Sequence, residues 1–228
     1  MAGEDATQAT RRRYDRIAPL YDAMEWFMEL GFRRWRRELW STVPAGRILE
    51  VGVGTGKNIG FHGQSHVVTG IDISPRMLAR ARQRAQRCPS PPVLELADAQ
   101  ALPYADASFD AVVASFVFCS VPDAIQGFRE ARRVLVPGGK LLLLEHVISN
   151  NRMLAALMRR SDALPFHLWG AHIDRDTASN VREAGFGCIT VHPRWLDIVV
   201  IIEAERPRTP VSKARALRPD THPESCWA

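Results

Sequence analysis

The most telling stretch of the chain reads Arg47-Ile48-Leu49-Glu50-Val51-Gly52-Val53-Gly54-Thr55-Gly56. A second apolar run follows it and ends in an acid, Gly70-Ile71-Asp72-Ile73-Ser74. Glycines where a strand meets a loop let the backbone take positive φ and approach a ligand closely. An acid at the tip of the next strand can accept hydrogen bonds from both hydroxyls of a ribose. The two segments together predict a βαβ unit that binds a nucleoside.

The glycine spacing separates two kinds of nucleoside site. Dinucleotide sites use G-x-G-x-x-G, whose helix N-terminus faces a pyrophosphate. Here the order is G-x-G-x-G, and Gly60 comes too late to complete the dinucleotide form. The carboxylate of Glu50 is unfavourable beside pyrophosphate but suits a ligand that carries an ammonium and a sulfonium. These residues resemble the class I methyltransferases, which use S-adenosylmethionine.

The resemblance continues through a third strand with its loop, residues 93–103, and a fourth strand, residues 108–116. It implies that Asp98 accepts from the adenine amine and that the backbone N–H of Ala99 reaches a ring nitrogen. The segment 11–43 is implied to fold over the cofactor. The residues that the resemblance assigns to cofactor binding are Tyr14, Tyr21, Glu50, Gly52, Gly54, Gly56, Asp72, Ile73, Met77, Asp98, Ala99 and Ser115.

The remaining pattern indicates the fold class. A Pro-Gly-Gly turn feeds a fully apolar fifth strand that ends at His146, and two further strands are predicted at 189–191 and 198–204. Continuous apolar strands between helices are typical of a parallel sheet covered on both faces. We therefore expect an α/β protein with a seven-stranded Rossmann-like methyltransferase sheet, helices on both faces and an N-terminal helical lid.

The length of 228 residues accommodates one sizeable core. We expect a disordered N-terminus at 1–10, a methyltransferase domain at 11–205 with its helical lid at 11–43, and a disordered basic tail at 206–228. A Met/Leu-rich helix predicted at 151–160 is suited to covering an apolar acceptor.

The four cysteines lack C-x-x-C spacing, so the sequence predicts neither a metal site nor a disulfide framework and fits a reducing cytoplasm. No apolar stretch approaches the ~18 residues of a membrane-spanning helix. The net charge of +5 is unevenly placed, because residues 11–40 carry eight arginines against five acids. This pattern favours contact with an anionic surface and argues against a nucleic-acid groove.

The segment 11–40 allows two interpretations. Phe32, Trp35, Leu39 and Trp40 fall on one helical face, with the arginines largely opposite. In the first interpretation the segment is a helical lid whose aromatic faces pack over the C-terminal edge of the sheet, while the arginines face water. In the second, a basic and aromatic helix rests on the inner face of a membrane. The two interpretations are compatible.

The nature of the acceptor also rests on resemblance. The pattern Tyr14-Asp15-x-Ile17-Ala18-x-x-Tyr21-Asp22 is similar to the first segment of the ubiquinone/menaquinone C-methyltransferases and of bacterial phosphatidylethanolamine N-methyltransferases. The resemblance to the phospholipid enzymes is closer, through residues 50–58. Residues 116–123 and 144–147 also resemble lipid-associated methyltransferases with alkyl-thiol activity. The leading acceptor is therefore the amine of phosphatidylethanolamine. The alternatives are a quinone-like ring carbon, an apolar thiol, or a non-catalytic protein that binds the cofactor and regulates a partner.

Two residues are candidates for the chemistry. Methyl transfer depends mostly on aligning nucleophile, methyl and sulfur in a water-poor pocket. An amine must also be uncharged when it attacks, so a nearby group that shares its proton assists. His146 at the end of the fifth strand and Tyr21 in the N-terminal segment are the candidate catalytic residues. The alternative for His146 is a structural role.

Overall fold

The computed structural model describes residues 2–24, 26–149, 176–195 and 198–208. Its helices are α1 (Ala2–Ile17), α2 (Tyr21–Met24), α3 (Trp26–Ser41), α4 (Pro75–Ala85), α5 (Ala124–Val134) and α6 (Thr177–Glu183), with a 3₁₀ turn at Ile59–Phe61. Its strands are β1 (Gly46–Val51), β2 (His66–Asp72), β3 (Val93–Leu96), β4 (Phe109–Ser115), β5 (Leu135–His146), β6 (Gly187–Trp195) and β7 (Val199–Glu205).

The strands form one seven-stranded sheet in the order β3-β2-β1-β4-β5-β7-β6. The pairs among β1 to β5 are parallel, while β7 runs antiparallel to both β5 and β6. The predicted fold class is confirmed. Because the strand order reverses between β1 and β4, the carboxyl ends of these strands open a crevice of the kind that binds ligands in α/β sheets.

Each face of the sheet packs against helices. On one face, Phe128 and Val134 of α5 and Val181 of α6 join a buried cluster with β1, β4 and β5. On the other face, Leu39 and Trp40 of α3 pack against residues of β1, β4, β5 and β7. Alternate residues of a strand point to opposite faces, which is why these apolar strands need helices on both sides.

Helix α3 therefore packs its aromatic side on one face of the sheet, whereas the first interpretation placed the aromatic faces over the sheet's C-terminal edge. Phe32 and Trp35 are partly buried against the same cluster that holds Leu39 and Trp40. The part of the predicted lid that lies beside the carboxyl ends of the strands is α1 and α2. Residues 11–43 thus contain one helix that is part of the core and two that border the site.

The N-terminus differs from the disordered segment expected at 1–10, because α1 is helical from Ala2. Two acids in its first turn, Glu4 and Asp5, favour the helix N-terminus electrostatically. A tertiary contact also holds this part of the helix, since the side-chain amide of Gln100 donates to Thr7 Oγ1 at 3.0 Å. Composition alone did not reveal that contact.

The start of the predicted tail also has partners. The Arg206 N–H donates to the Gly139 carbonyl at 2.9 Å, and the Gly138 N–H donates to the Arg206 carbonyl at 2.8 Å. The rest of the predicted tail, 209–228, and the predicted Met/Leu-rich helix at 151–160 lie outside the described residues. Within the described ranges, no helix has the length and apolarity needed to cross a bilayer.

Candidate functional site

The glycine loop after β1 has the backbone geometry that its sequence predicted. Gly52 and Gly54 have φ of 66° and 56°. A Cβ on Gly52 would lie 2.4 Å from Val117 Cγ2, so only glycine fits there. A Cβ on Gly54 would meet nothing closer than the Gly52 carbonyl oxygen at 3.9 Å, because that side faces open space. The loop therefore exposes backbone to a ligand at Gly54.

Asp72 closes β2 directly beside this loop. Its Oδ2 accepts from the Gly54 N–H at 2.9 Å, and its Oδ1 accepts from the Ser74 N–H at 2.9 Å. Burial raises the pKa of Asp72 to about 6, against the lowering effect of the backbone donors at Ser74 and Gly54. The carboxylate thus fixes the loop and remains a charged acceptor at neutral pH.

A cavity with about 860 Å³ of empty space, its open mouth included, lies over the carboxyl ends of the strands. Its position at the strand ends is the usual place of ligand sites in open α/β sheets. Ten of the twelve residues assigned to the cofactor line it: Tyr14, Tyr21, Gly52, Gly54, Asp72, Ile73, Met77, Asp98, Ala99 and Ser115.

Glu50 does not line the cavity. It shares a strand face with Ile48, which points toward α3, and its side chain is fully buried. Its Oε1 accepts from Asn58 Nδ2 at 2.8 Å, and its Oε2 lies 3.0 Å from His62 Nε2. In this structure Glu50 supports the loop from behind through these two contacts.

Gly56 also lies outside the cavity lining. Its φ is 85°, and a Cβ there would sit 2.7 Å from Ile59 Cδ1 and 3.2 Å from Ala81 Cα. The glycine is needed because the loop packs closely on the 3₁₀ turn and on α4. Its conformation is as predicted, but its contacts in the structure are with the protein core.

Asp98 lines the cavity next to Gln100, which also lines it. The side-chain amide of Gln100 donates to both oxygens of Asp98, at 3.1 and 3.2 Å. The same amide reaches Thr7 of α1, and Gln100 Oε1 accepts from the Asp123 N–H at 2.9 Å. Gln100, which the sequence did not single out, therefore connects α1 to the loop expected to hold adenine.

In each Tyr-Asp pair of the N-terminal segment, the tyrosine faces the cavity and the aspartate bonds to the protein. Tyr14 and Tyr21 line the cavity. Asp15 Oδ1 accepts from Ser74 Oγ at 2.6 Å, and Asp22 Oδ1 accepts from Thr55 Oγ1 at 2.7 Å. Each tyrosine is thus placed at the site by an aspartate that binds the cofactor loop or the start of α4.

Three further cavity residues were not assigned from the sequence. Arg36 of α3 is only 6% exposed, although the arginines of this helix were expected to face away from its aromatic side. Lys57 follows the glycine loop, with Nζ 5.2 Å from the ring centroid of Tyr21. Phe116 follows β4 with a positive φ of 59°, which is strained for a bulky residue. The spacing of Phe32, Arg36 and Leu39 at i, i+4 and i+7 was the missed signal for Arg36.

His146 lies next to the cavity but does not line it. Its ring packs 4.6 Å from Phe116 and 5.6 Å from Phe32, centroid to centroid. Burial lowers the pKa of His146 to about 4, and the positive charge of Arg36 adds to the effect. The imidazole is therefore neutral at physiological pH, and it borders the site behind Phe116.

Comparison with known proteins agrees with this geometry. The methyltransferase-domain family matches residues 49–143. A demethylmenaquinone methyltransferase from Deinococcus radiodurans is 37% identical over 163 residues, which cover 68% of each chain. This chain belongs to the S-adenosylmethionine-dependent methyltransferases. The open face of Gly54 and the carboxylate of Asp72 fit that cofactor, which supplies a methyl group on a sulfonium leaving group.

Other relatives of this methyltransferase differ in their named substrates. A phosphatidylethanolamine N-methyltransferase from Cereibacter sphaeroides is 40% identical over 128 residues, covering 54% of this chain and 63% of that one. A ubiquinone/menaquinone biosynthesis C-methyltransferase from Geobacter sp. strain M21 is 38% identical over 145 residues, covering 59% and 62%. The match thus spans just under two thirds of these two relatives.

Solved structures share the fold at lower identity. A methyltransferase from Thermotoga maritima superposes with a TM-score of 0.68 at 20% identity, covering 86% of this chain and 99% of that one. The [4+2]-cyclase SpnF superposes with a TM-score of 0.71 at 20% identity, covering 88% and 97%. A fold that carries a cyclase as well as methyltransferases does not by itself define the reaction.

Proposed function

We propose that this methyltransferase N-methylates phosphatidylethanolamine, or its methylated derivatives, at a membrane surface. The observation that carries the proposal is an exposed ridge of apolar side chains in the N-terminal segment. The ridge consists of Leu20, Trp26, Phe27 and Leu30, which are 65%, 67%, 78% and 68% exposed.

One end of the ridge is a sequence neighbour of the cavity lining. Leu20 directly precedes Tyr21, which lines the cavity, and the other ridge residues occupy the first turns of α3. Exposed apolar groups of this size and density are typical of surfaces that bind a partner or a membrane. A lipid acceptor held in a bilayer would meet the enzyme at this surface, close to the site of transfer.

Basic residues extend the same exposed face of α3. Arg33, Arg34 and Arg37 are all exposed. Helical spacing places them on the same side of α3 as Trp26, Phe27 and Leu30. Apolar groups that insert into lipid, beside cations that contact anionic headgroups, are the two components of interfacial helix binding. This arrangement favours the membrane interpretation of the segment while its opposite face packs on the sheet.

The phosphatidylethanolamine relative supports nitrogen as the methylated atom. We assign the adenosyl end of the cofactor to Asp72 and Asp98, so the nucleophile would approach past Ser115 and Phe116, which also line the cavity. An amine must lose its proton before it attacks. His146 borders this approach behind Phe116, and its low pKa leaves the deprotonation of the amine to solvent.

A second candidate is methylation of a quinone-like ring carbon, favoured by the Deinococcus relative, which matches over the largest share of this chain among the three relatives compared. The test is turnover of methyl-labelled cofactor with vesicles containing phosphatidylethanolamine, a reduced demethylquinone or a long-chain thiol. We expect label in mono- and dimethylated phosphatidylethanolamine. Label in the quinone or thiol alone would transfer the assignment to that acceptor. Cofactor binding without turnover of any acceptor would favour a regulatory protein.

A further inference from the structure

Two cationic side chains in the cavity wall are not among the residues assigned to the cofactor. Arg36 and Lys57 both line the cavity. Arg36 Nε lies 3.4 Å from Glu29 Oε1, and Lys57 Nζ lies 3.3 Å from Glu29 Oε2. Both cations thus contact the carboxylate of Glu29, which brings two positive groups together at the cavity wall. Cations at a cavity wall are suited to recognising an oxyanion.

The guanidinium of Arg36 is held in a fixed orientation. Its Nη1 donates to Asn58 Oδ1 at 3.1 Å, and among the described residues this is its one hydrogen bond. The amide of Asn58 separates Arg36 from Glu50, whose oxygens are engaged by Asn58 and His62. The guanidinium therefore keeps donors available beside the cavity. Its planar fork matches an oxyanion in bidentate geometry.

The position of Arg36 separates it from the adenosyl end. Along the sheet edge, Asp98 follows β3 and Asp72 ends β2, whereas Phe116 follows β4. The Arg36 Cζ lies 5.3 Å from the ring centroid of Phe116. Its positive charge also contributes to the lowered pKa of His146, which ends β5. Arg36 thus stands at the β4–β5 end of the crevice, beyond the glycine loop.

We infer that Arg36, with Lys57, forms an oxyanion subsite that binds a phosphate or carboxylate of the methyl acceptor next to the methylated atom. The inference rests on the proposed function and deepens it. In phosphatidylethanolamine the phosphate is separated from the amine by two carbons, so one molecule can present both groups to neighbouring parts of one cavity. An apolar quinone ring or thiol offers no such anion.

The first test measures binding with soluble probes. The protein is saturated with S-adenosylhomocysteine and titrated calorimetrically with O-phosphoethanolamine and with ethanolamine. We expect the phosphate-bearing probe to bind more tightly. Arg36→Gln and Lys57→Gln should each weaken it by about tenfold or more and leave ethanolamine unchanged. The matched control is Arg87→Gln, an exposed arginine outside the cavity lining. Absence of a phosphate preference in the wild-type protein would overturn the subsite.

The second test separates the acceptor from the cofactor, whose methionyl carboxylate has the same chemistry. Affinities for S-adenosylhomocysteine and for 5′-methylthioadenosine, which lacks the amino-acid part, are compared in each variant. We expect both affinities to stay within about twofold of wild type in Arg36→Gln. A loss for S-adenosylhomocysteine alone would assign Arg36 to the cofactor and overturn the inference. Arg36→Lys, which keeps the charge but not the fork, together with circular dichroism, distinguishes a lost contact from a damaged fold.

The failure of this inference and that of the proposed function give different results. Turnover of phosphatidylethanolamine with an unchanged KM in Arg36→Gln would leave the function standing and remove the subsite. Arg36-dependent binding of O-phosphoethanolamine without turnover of phosphatidylethanolamine would keep the subsite and replace the lipid with another phosphorylated acceptor.

Discussion

Asp22 Oδ1 accepts a hydrogen bond from Thr55 Oγ1 at 2.7 Å, which joins the N-terminal segment to the middle of the glycine loop across 33 positions of sequence. The other oxygen of Asp22 lies 3.2 Å from Arg80 Nη2 and 3.1 Å from Arg84 Nη2, both on α4. Burial raises the pKa of Asp22, but the Thr55 bond and the two arginines outweigh it, so the pKa lies below its usual value. One carboxylate thereby fixes α2, the loop and α4 together.

We therefore expect Asp22→Asn to weaken cofactor binding even though Asp22 does not line the cavity. Loss of one charged hydrogen-bond acceptor should cost about 1–2 kcal/mol in binding of S-adenosylhomocysteine, measured by calorimetry. Thr55→Val should have a similar effect, and the double variant should cost less than the sum because the two residues share one contact. Asp5→Asn, an exposed residue of α1, serves as the control. Additive losses would show that Asp22 and Thr55 act separately.

Asp72→Ala should weaken the binding of S-adenosylhomocysteine by about 1–3 kcal/mol, because the ribose hydroxyls lose a charged acceptor and the Gly54 N–H loses its partner. Unchanged affinity would remove Asp72 from the site. Thermal unfolding measured in parallel shows whether the loop alone is affected.

The raised pKa of Asp72 also predicts a pH dependence of binding. Above pH 6 the carboxylate is ionised and can accept hydrogen bonds from the ribose that we expect beside it. As the pH falls through about 6, the free protein takes up a proton that binding must expel, so the affinity should fall by up to about tenfold per pH unit. The affinity of Asp72→Asn should not change over the same range. An equal pH dependence in that variant would assign the titration to another group.

Gly54→Val should abolish cofactor binding while the chain stays folded. The added side chain would fill the open space above the loop, and a β-branched residue tolerates a φ of 56° poorly. Gly60→Ala is the matched control, since a Cβ there meets nothing within 4 Å and its φ is not positive. Native circular dichroism with retained binding in Gly54→Val would show that the loop does not hold the cofactor.

The local parts of this site followed from the sequence, because adjacent residues determine them. The glycine loop and the acid that ends β2 are read from spacing, whereas the set of seven strands came from the apolar runs together with the family resemblance. The contacts that close the site join residues far apart in the chain. The bonds of Asp15 to Ser74 and of Gln100 to Thr7 span 59 and 93 positions, and no local pattern encodes such pairs.

Arg36 shows a different limit of sequence reasoning. An arginine in an arginine-rich helix is predicted to face solvent, because burying an unpaired charge is unfavourable. The structure compensates the buried charge with two partners. Glu29 lies about two turns earlier on the same helix, and Asn58 comes from the loop after β1. Glu50 was expected at the cofactor but is buried, because its partner His62 directly follows a 3₁₀ turn that the sequence did not indicate.

His146 should affect the rate without setting its pH profile. With a pKa of about 4, the imidazole is neutral throughout the range from pH 5 to pH 9. We expect His146→Gln to lower kcat by about tenfold to a hundredfold, because loss of the ring that packs on Phe116 would misplace the cavity wall. The rate with an amine acceptor should rise with pH in both proteins as the amine loses its proton. A break near pH 6 to 7 that disappears in the variant would contradict the neutral state.

The last prediction concerns the exposed ridge and the arginines that follow it. Arg33, Arg34 and Arg37 are exposed, whereas Arg36 is buried in the cavity wall, so a surface variant must leave Arg36 intact. Each cation near an anionic surface contributes about 1 kcal/mol, and salt screens that contribution. Sedimentation with vesicles should therefore increase with phosphatidylglycerol content and decrease with ionic strength. Changing Arg33, Arg34 and Arg37 together to glutamine should suppress it.

The control is a triple variant with the same loss of charge elsewhere, in which the exposed Arg87, Arg129 and Arg182 are changed to glutamine. If the surface of α3 is specific, this control should retain vesicle binding, whereas a response to net charge alone would weaken both variants equally. Changing Trp26 and Phe27 to serine should remove the part of the binding that persists at high salt, because insertion of apolar groups is not screened. All these variants should bind S-adenosylhomocysteine as wild type does, since none of the changed residues lines the cavity. Absence of wild-type sedimentation at every lipid composition, with turnover of a soluble acceptor, would exclude the membrane role and leave the ridge to cover a protein partner.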